Sequence, residues 1–239
     1  MIYLYAVNIE DNISDDLVEV FSRMISEERK RKTSKFVYLV DRVRSIVAEV
    51  TIRYALWRQY GVNTQEIRFS YNEYGKPELD GLKDIFFNIS HSGMWVLCAI
   101  GDVPLGVDIE KITSTDMKIA QRFFNKKEYI YLQKQPLEIQ YREFFKIWTL
   151  KECYIKEEGK GLNIPLDSFS FSFNDNGIVV CDQCGVRTDL RFQVGQLEQE
   201  YCYAVCVAGD EVLDDNIQVV TMQELIDFGK FFGGGKMKN

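Results

Sequence analysis

Several things are missing from this chain, and each absence narrows what it can do. It has no Gly-x-x-x-x-Gly-Lys-Ser/Thr loop, which argues against a nucleoside-triphosphate hydrolase. It has no excess of basic charge. The formal net charge is −7, so the surface as a whole does not suit nucleic acid and any anion site has to be local. It has no long hydrophobic run, since the apolar stretch from Met94 to Ile100 is far too short to cross a membrane. Its apolar start, Met1 to Val7, lacks a basic leader and passes straight into Asn8 and Glu10, as a first strand does and a signal peptide does not. The expectation is a cytoplasmic protein with six reduced cysteines.

What is present is ordinary for a soluble globular protein: 239 residues, 46% hydrophobic and 27% charged, enough for one large domain or two small ones. Cys181 and Cys184, with Cys202 and Cys206, invite a zinc reading. The plainer reading is preferred. Cys202 and Cys206 lie four apart in an alternating strand, where cysteine is a small apolar filler, and the first pair sits in a polar loop.

Apolar spacing predicts helices over 15–35, 41–60, 116–122, 126–134 and 138–158. Strands are expected near 67–70, 86–90, 95–100, 105–109, 168–174, 177–181, 189–196 and 201–208, with a turn or hairpin at 73–77. The fold class is α+β, with a mobile tail expected from about 229. Laid over each other without gaps, 95–110 and 203–218 share Cys98/Cys206, Gly101/Gly209, Asp102/Asp210, Leu105/Leu213 and Ile109/Ile217. That exceeds the roughly one identity chance would give, and it suggests two similar halves. In this register Asp108 and Glu110 stand opposite Asn216 and Gln218, so only one half would keep an acidic site.

Chemistry concentrates in three stretches. In Gly106-Val107-Asp108-Ile109-Glu110, strand alternation turns Val107 and Ile109 to one face and both carboxylates to the other. Two carboxylates about 6–7 Å apart along a strand can lean onto one small hard cation such as Mg²⁺. In Trp148-Thr149-Leu150-Lys151-Glu152, followed by Lys156, Glu152 and Lys156 are one helical turn apart. Alone they would read as a solvated ion pair, but Phe144, Phe145 and Trp148 require the same helix to be partly buried. Cys153 points about 100° away from Glu152 and is no nucleophile. The third stretch, Phe87 to Gly93, holds the single histidine, His91; a lone loop histidine is by default solvent-facing or a local hydrogen-bond partner.

Gly-Val-Asp-Ile-Glu, followed about forty residues later by Trp-Thr-Leu-Lys-Glu-x-x-x-Lys-x-x-Gly, resembles the signature of 4′-phosphopantetheinyl transferases. Phe-Asn-Ile-Ser-His-Ser-Gly and Glu73-Tyr74-Gly75-Lys76-Pro77 are similar to two further motifs of the larger, surfactin-synthetase-activating type, and the likeness runs from the first strand to at least Ala208. The resemblance implies a monomer of two similar subdomains in pseudo-twofold relation, taken as 1–108 and 109–239, with the site between them. It implies transfer of phosphopantetheine from coenzyme A to a serine of an apo peptidyl or acyl carrier domain, in peptide or polyketide synthesis, with release of adenosine 3′,5′-bisphosphate.

Under that resemblance Asp108, Glu110 and Glu152 are the ligands of Mg²⁺, or of Mn²⁺ instead. Glu152 is also the candidate base, and Lys156 stabilises the charge on the phosphates. Ser90 and His91 contact the coenzyme phosphates. Arg29 and Lys32, from the basic run 29–32 that would otherwise be a solvated helix face, receive the 3′-phosphate. Arg44 and Ser45 are weaker nucleotide contacts, and Lys76 meets the coenzyme. Carrier recognition is expected in 111–124, where Ile112, Lys118, Ile119, Arg122, Phe123 and Phe124 could equally be core. A Mg²⁺-dependent pyrophosphate hydrolase and a non-catalytic coenzyme A- or carrier-binding module are the alternatives.

Overall fold

In a computed structural model, two small sheets lie face to face and each is backed by one 22-residue helix. The structure describes residues 1–10, 13–174, 177–210, 213 and 216–233. The first half runs β1 (Ile2–Asn8), α1 (Asp15–Ser22), α2 (Glu27–Thr33), α3 (Leu39–Tyr60), the hairpin β2 (Phe69–Tyr71) and β3 (Pro77–Leu79), then β4 (Phe86–Ser92) and β5 (Trp95–Gly101). The second runs β6 (Leu105–Lys111), α4 (Lys118–Phe123), α5 (Lys126–Gln133), α6 (Leu137–Glu158) and the meander β7 (Ser170–Asn174), β8 (Gly177–Asp182) and β9 (Gly185–Arg187). It closes with β10 (Leu190–Leu197), β11 (Tyr201–Ala208), β12 (Ile217–Val219) and α7 (Met222–Gly233).

Alternation decides which face each strand buries. Leu4, Ala6, Leu97 and Ala99 from one sheet meet Leu105, Val107, Ile109, Tyr203 and Val205 from the other, forming a shared apolar layer. The opposite faces take the helices. Tyr5, Val7 and Cys98 pack under α3 with Ile46, Val50 and Leu56, while Ala204 and Cys206 pack under α6 with Leu150, Cys153 and Tyr154. Both long helices end at a glycine in the left-handed region, Gly61 (φ 65°) and Gly159 (φ 70°).

The two halves repeat, but with different strand partners from those the sequence comparison proposed. The first sheet, β12-β1-β5-β4, contains the three-stranded unit β1-β5-β4, and the second sheet is β6-β11-β10; in these two three-stranded units β5 and β11 are central and the pairings are antiparallel. Tyr5 pairs with Cys98 as Gly106 pairs with Cys206, so the counterpart of β6 is β1. The positions of Asp108 and Glu110 are filled in the first half by Val7 and Ile9, both fully buried, and not by Asn216 and Gln218. Gln218 lies in β12 and Asn216 just before it; β12 crosses to the first sheet and runs parallel to β1. Of the five identities only Cys98/Cys206 lies within both β5 and β11; beyond the strand ends the comparison ran on into segments with different partners.

Other boundaries moved for local reasons. The helix expected over 15–35 breaks because Ser26 caps α2, its hydroxyl accepting from the Arg29 amide at 3.2 Å. Leu166–Ser168 is a 3₁₀ turn, so β7 begins at Ser170. The helix α7 was not anticipated; Phe228 packs edge-on against Tyr54 at 5.3 Å. It includes residues 229–233, while 234–239 of the expected mobile tail lie outside the described residues. Among the described residues no helix is long and apolar enough to cross a membrane.

Candidate active site

The carboxylates depend on a close approach of β6 to α6. A Cβ on Gly106 would strike the Cys153 carbonyl and come within 2.6 Å of the Glu157 amide, so only glycine lets strand and helix touch there. That contact brings Asp108 under Lys156, whose ammonium donates to Asp108 Oδ1 at 2.6 Å, to Ser90 Oγ at 2.8 Å and to the Val107 carbonyl at 3.2 Å.

The other half contributes β4. Its even-numbered side chains reach the free edge of β6. Asn88 Oδ1 accepts from the Val107 amide at 3.0 Å, and Ser90 donates to Asp108 Oδ1 at 2.7 Å. Ser92 donates to Glu110 Oε2 at 2.7 Å and accepts from the Lys111 amide at 3.1 Å. Side chains thus satisfy backbone groups that a neighbouring strand would otherwise pair. The site therefore lies at the seam of the two halves.

A cleft of about 550 Å³ opens on this seam and is lined by Asp108, Glu110, Glu152, Lys156, Ser90 and His91, with Arg29, Lys32 and Lys76 on its cationic side. A larger cavity of about 630 Å³ lies behind α2, among Arg23, Arg53, Arg68 and Phe69. It holds none of the three carboxylates, so chemistry and not size locates the site.

Ser45 is buried outside the cleft lining and accepts from Arg29 Nη1 at 3.0 Å. Arg44 also lies outside the lining, with Nη2 3.4 Å from Asp41 Oδ1. Lys76 donates to the Glu157 carbonyl at 3.0 Å; burial pulls its pKa down. Its turn is tied to the end of α6 by Asn72, which donates to the Gly159 carbonyl at 2.8 Å. Lys32 is exposed at the cleft. In the segment expected to meet a carrier, Phe124 is core at 3% exposure, while Phe123 is 39% exposed; Ile112 and Ile119 are partly buried.

The electrostatics are those of acids crowded together. Burial, then the charge of Asp108, pushes Glu110 up to about 7, and the same two causes raise Glu152. Burial raises Asp108, against the pull of Lys156 and Ser90. Burial lowers His91 to about 4, helped by the charges of Arg44, Lys156 and Arg29.

A divalent cation suits this donor set. All three candidate ligands are hard oxygen donors, and Asp108 Oδ2 is buried without a hydrogen-bond partner. Among the described residues no three acidic, histidine or cysteine side chains are already gathered into a closed ligand set, so the fit rests on the donors and on that orphaned oxygen.

Comparison with known families shows what the chain is similar to. Residues 104–206 match the 4′-phosphopantetheinyl transferase superfamily, and residues 12–101 match the 4′-phosphopantetheinyl transferase N-terminal family. The chain is 37% identical to the 4′-phosphopantetheinyl transferase Sfp of Bacillus subtilis (strain 168) over 93% of its length and 99% of that protein's. It belongs to the 4′-phosphopantetheinyl transferase superfamily. It is also 36% identical to the 4′-phosphopantetheinyl transferase gsp of Aneurinibacillus migulanus, covering 94% of each chain. A further 4′-phosphopantetheinyl transferase of Bacillus subtilis is 35% identical, covering 93% of this chain and 99% of that protein.

In this transferase some residues around the site gave little signal in the sequence. Asn88 and Ser92 were legible only as members of a motif, not as the links between β4 and β6. Glu49, one of many acidic helix residues, is 1% exposed. Lys151 is fully buried beside Glu152, its ammonium 2.8 Å from Glu128 Oε2. A buried charge leaves no periodic trace, although Lys151 inside an apolar helix face was a visible irregularity.

Proposed function

We propose that this transferase moves 4′-phosphopantetheine from coenzyme A to a serine hydroxyl of an apo peptidyl or acyl carrier domain, releasing adenosine 3′,5′-bisphosphate. The observation that carries this reading is the polarity of one cleft. Arg29, Lys32 and Lys76 line its cationic side, and Asp108, Glu110, Glu152 and Lys156 line its acidic centre. Its volume, about 550 Å³, falls within the roughly 300–1,000 Å³ of small-molecule sites.

Arg29 and Lys32 hold the 3′-phosphate, and Ser90 and His91 hold the pyrophosphate. His91 is neutral at pH 7 by its lowered pKa, so it donates one N–H to a phosphate oxygen. The serine oxygen attacks the phosphorus bearing pantetheine, and the bond from that phosphorus to the adenosine bisphosphate oxygen breaks. Glu152 accepts the serine proton; its raised pKa favours that role. Lys156 is placed to neutralise charge on the leaving bisphosphate. Asp108, Glu110 and Glu152 would hold Mg²⁺, or Mn²⁺ in its place, which when bound offsets negative charge on the diphosphate. The chain acts as a monomer, because one chain supplies both walls of the cleft. The exposed Phe123 and Arg122 on α4 are the candidate carrier contacts.

The test is to incubate the protein with apo carrier, coenzyme A and Mg²⁺ and weigh the carrier. A phosphopantetheine mass gain supports transfer. Bisphosphate release without it supports a pyrophosphate hydrolase, and neither product supports a binding module.

A further inference from the structure

Glu49 lies outside the cleft, is 1% exposed, and no step above uses it. Burying a carboxylate is costly unless its lone pairs are filled, and here they are. Oε1 accepts from the Ser26 amide at 2.7 Å and from Arg53 Nη2 at 2.8 Å and Nε at 3.1 Å. Oε2 accepts from Ser26 Oγ at 2.9 Å and Arg29 Nε at 3.3 Å. Arg53 is fixed in turn by the Thr64 carbonyl at 2.7 Å.

Glu49 therefore holds both the cap of α2 and the inner nitrogen of Arg29. Ser45, one helical turn before it on α3, takes Arg29 Nη1 at 3.0 Å. With two nitrogens engaged, the guanidinium is oriented before any ligand arrives, and Nη2 remains for the cleft. An arginine on a seven-residue surface helix would otherwise lose rotamer freedom on binding.

We infer that Glu49, with Ser45, is a positioning residue that preorganises Arg29 for the terminal phosphate of the coenzyme and so sets the preference for coenzyme A over its 3′-dephospho form. This rests on the function proposed above, in which Arg29 meets that phosphate.

The experiment is a double-mutant cycle with two substrates, coenzyme A and 3′-dephospho-coenzyme A, on the full chain. In Glu49→Gln, KM for coenzyme A should rise about tenfold with kcat within about twofold, and kinetics with the dephospho form should barely move. In an Arg29→Ala background the same substitution should cost no further preference. Equal losses with both substrates, or a preference loss that persists without Arg29, would overturn the inference. If Glu49→Gln does not fold, Ser45→Ala runs the same cycle, and an unchanged preference there overturns it equally. Should Arg29→Ala alone leave the preference intact, the phosphate contact itself is misplaced and the inference fails with it; that outcome is distinct from a failure of Glu49.

Discussion

Replacing Lys151 by methionine should destabilise the protein without touching the cleft. The Lys151 ammonium is fully buried. It donates to Glu128 Oε2 at 2.8 Å, to the Leu166 carbonyl at 2.8 Å and to the Phe169 carbonyl at 2.9 Å, and it lies 4.3 Å from the Phe169 ring centroid. Glu128 is itself 4% exposed. Breaking a buried pair from one side typically costs about 3–5 kcal/mol, because a charge is left unpaired. Here Glu128 would keep the Phe171 amide at 2.9 Å and the Asn125 amide at 3.0 Å, which places the loss near the lower end, about 3 kcal/mol. For a chain of 239 residues that corresponds to a fall in Tm of about 6–12 °C. Calorimetry at neutral pH measures it, and the double variant Glu128→Gln with Lys151→Met should recover part of the loss. A single-variant loss below about 1 kcal/mol would refute the reasoning, since it would mean that the ammonium is not desolvated in the folded protein.

Four further outcomes are expected. Gly106→Ala should cost about 1–3 kcal/mol of stability by overpacking β6 against α6, and should lower kcat at temperatures where the variant is folded. Asp108→Ala should reduce turnover at least about 100-fold in the carrier assay; near-normal rates at millimolar Mg²⁺ would remove it from the site. Lys32→Ala should weaken coenzyme A relative to its 3′-dephospho form by about 1–3 kcal/mol, read from inhibition constants. His91, the single histidine, should titrate near 4 by NMR in the free protein. Its folded pKa lies below the ordinary 6.5, so its contribution to stability is present above about 6.5 and is lost as pH falls through about 4. Adding adenosine 3′,5′-bisphosphate should move that pKa upward, and no movement would place His91 away from the phosphates.

The acidic strand was readable because period-two alternation puts Asp108 and Glu110 on one face whatever the surroundings. Helix periodicity likewise located α3 and α6, whose apolar stripes are long enough to override local noise. What alternation cannot convey is the neighbour. Nothing in the sequence pattern says that Asn88, Ser90 and Ser92 face the edge of β6, since that depends on two sheets meeting. The register of the repeat failed for the same reason: Val7 and Ile9 are physically equivalent to Asp108 and Glu110 but share no identity with them. Short strands such as β9 and β12, three residues each, carry too little periodicity to register, and they form only because a partner strand is already in place.

The most direct test is anomalous diffraction from a crystal soaked with Mn²⁺ and coenzyme A. One peak ligated by Asp108, Glu110 and Glu152 and touching the diphosphate is the expected result. A peak elsewhere, or a coenzyme bound with those three side chains turned away from it, would contradict the account.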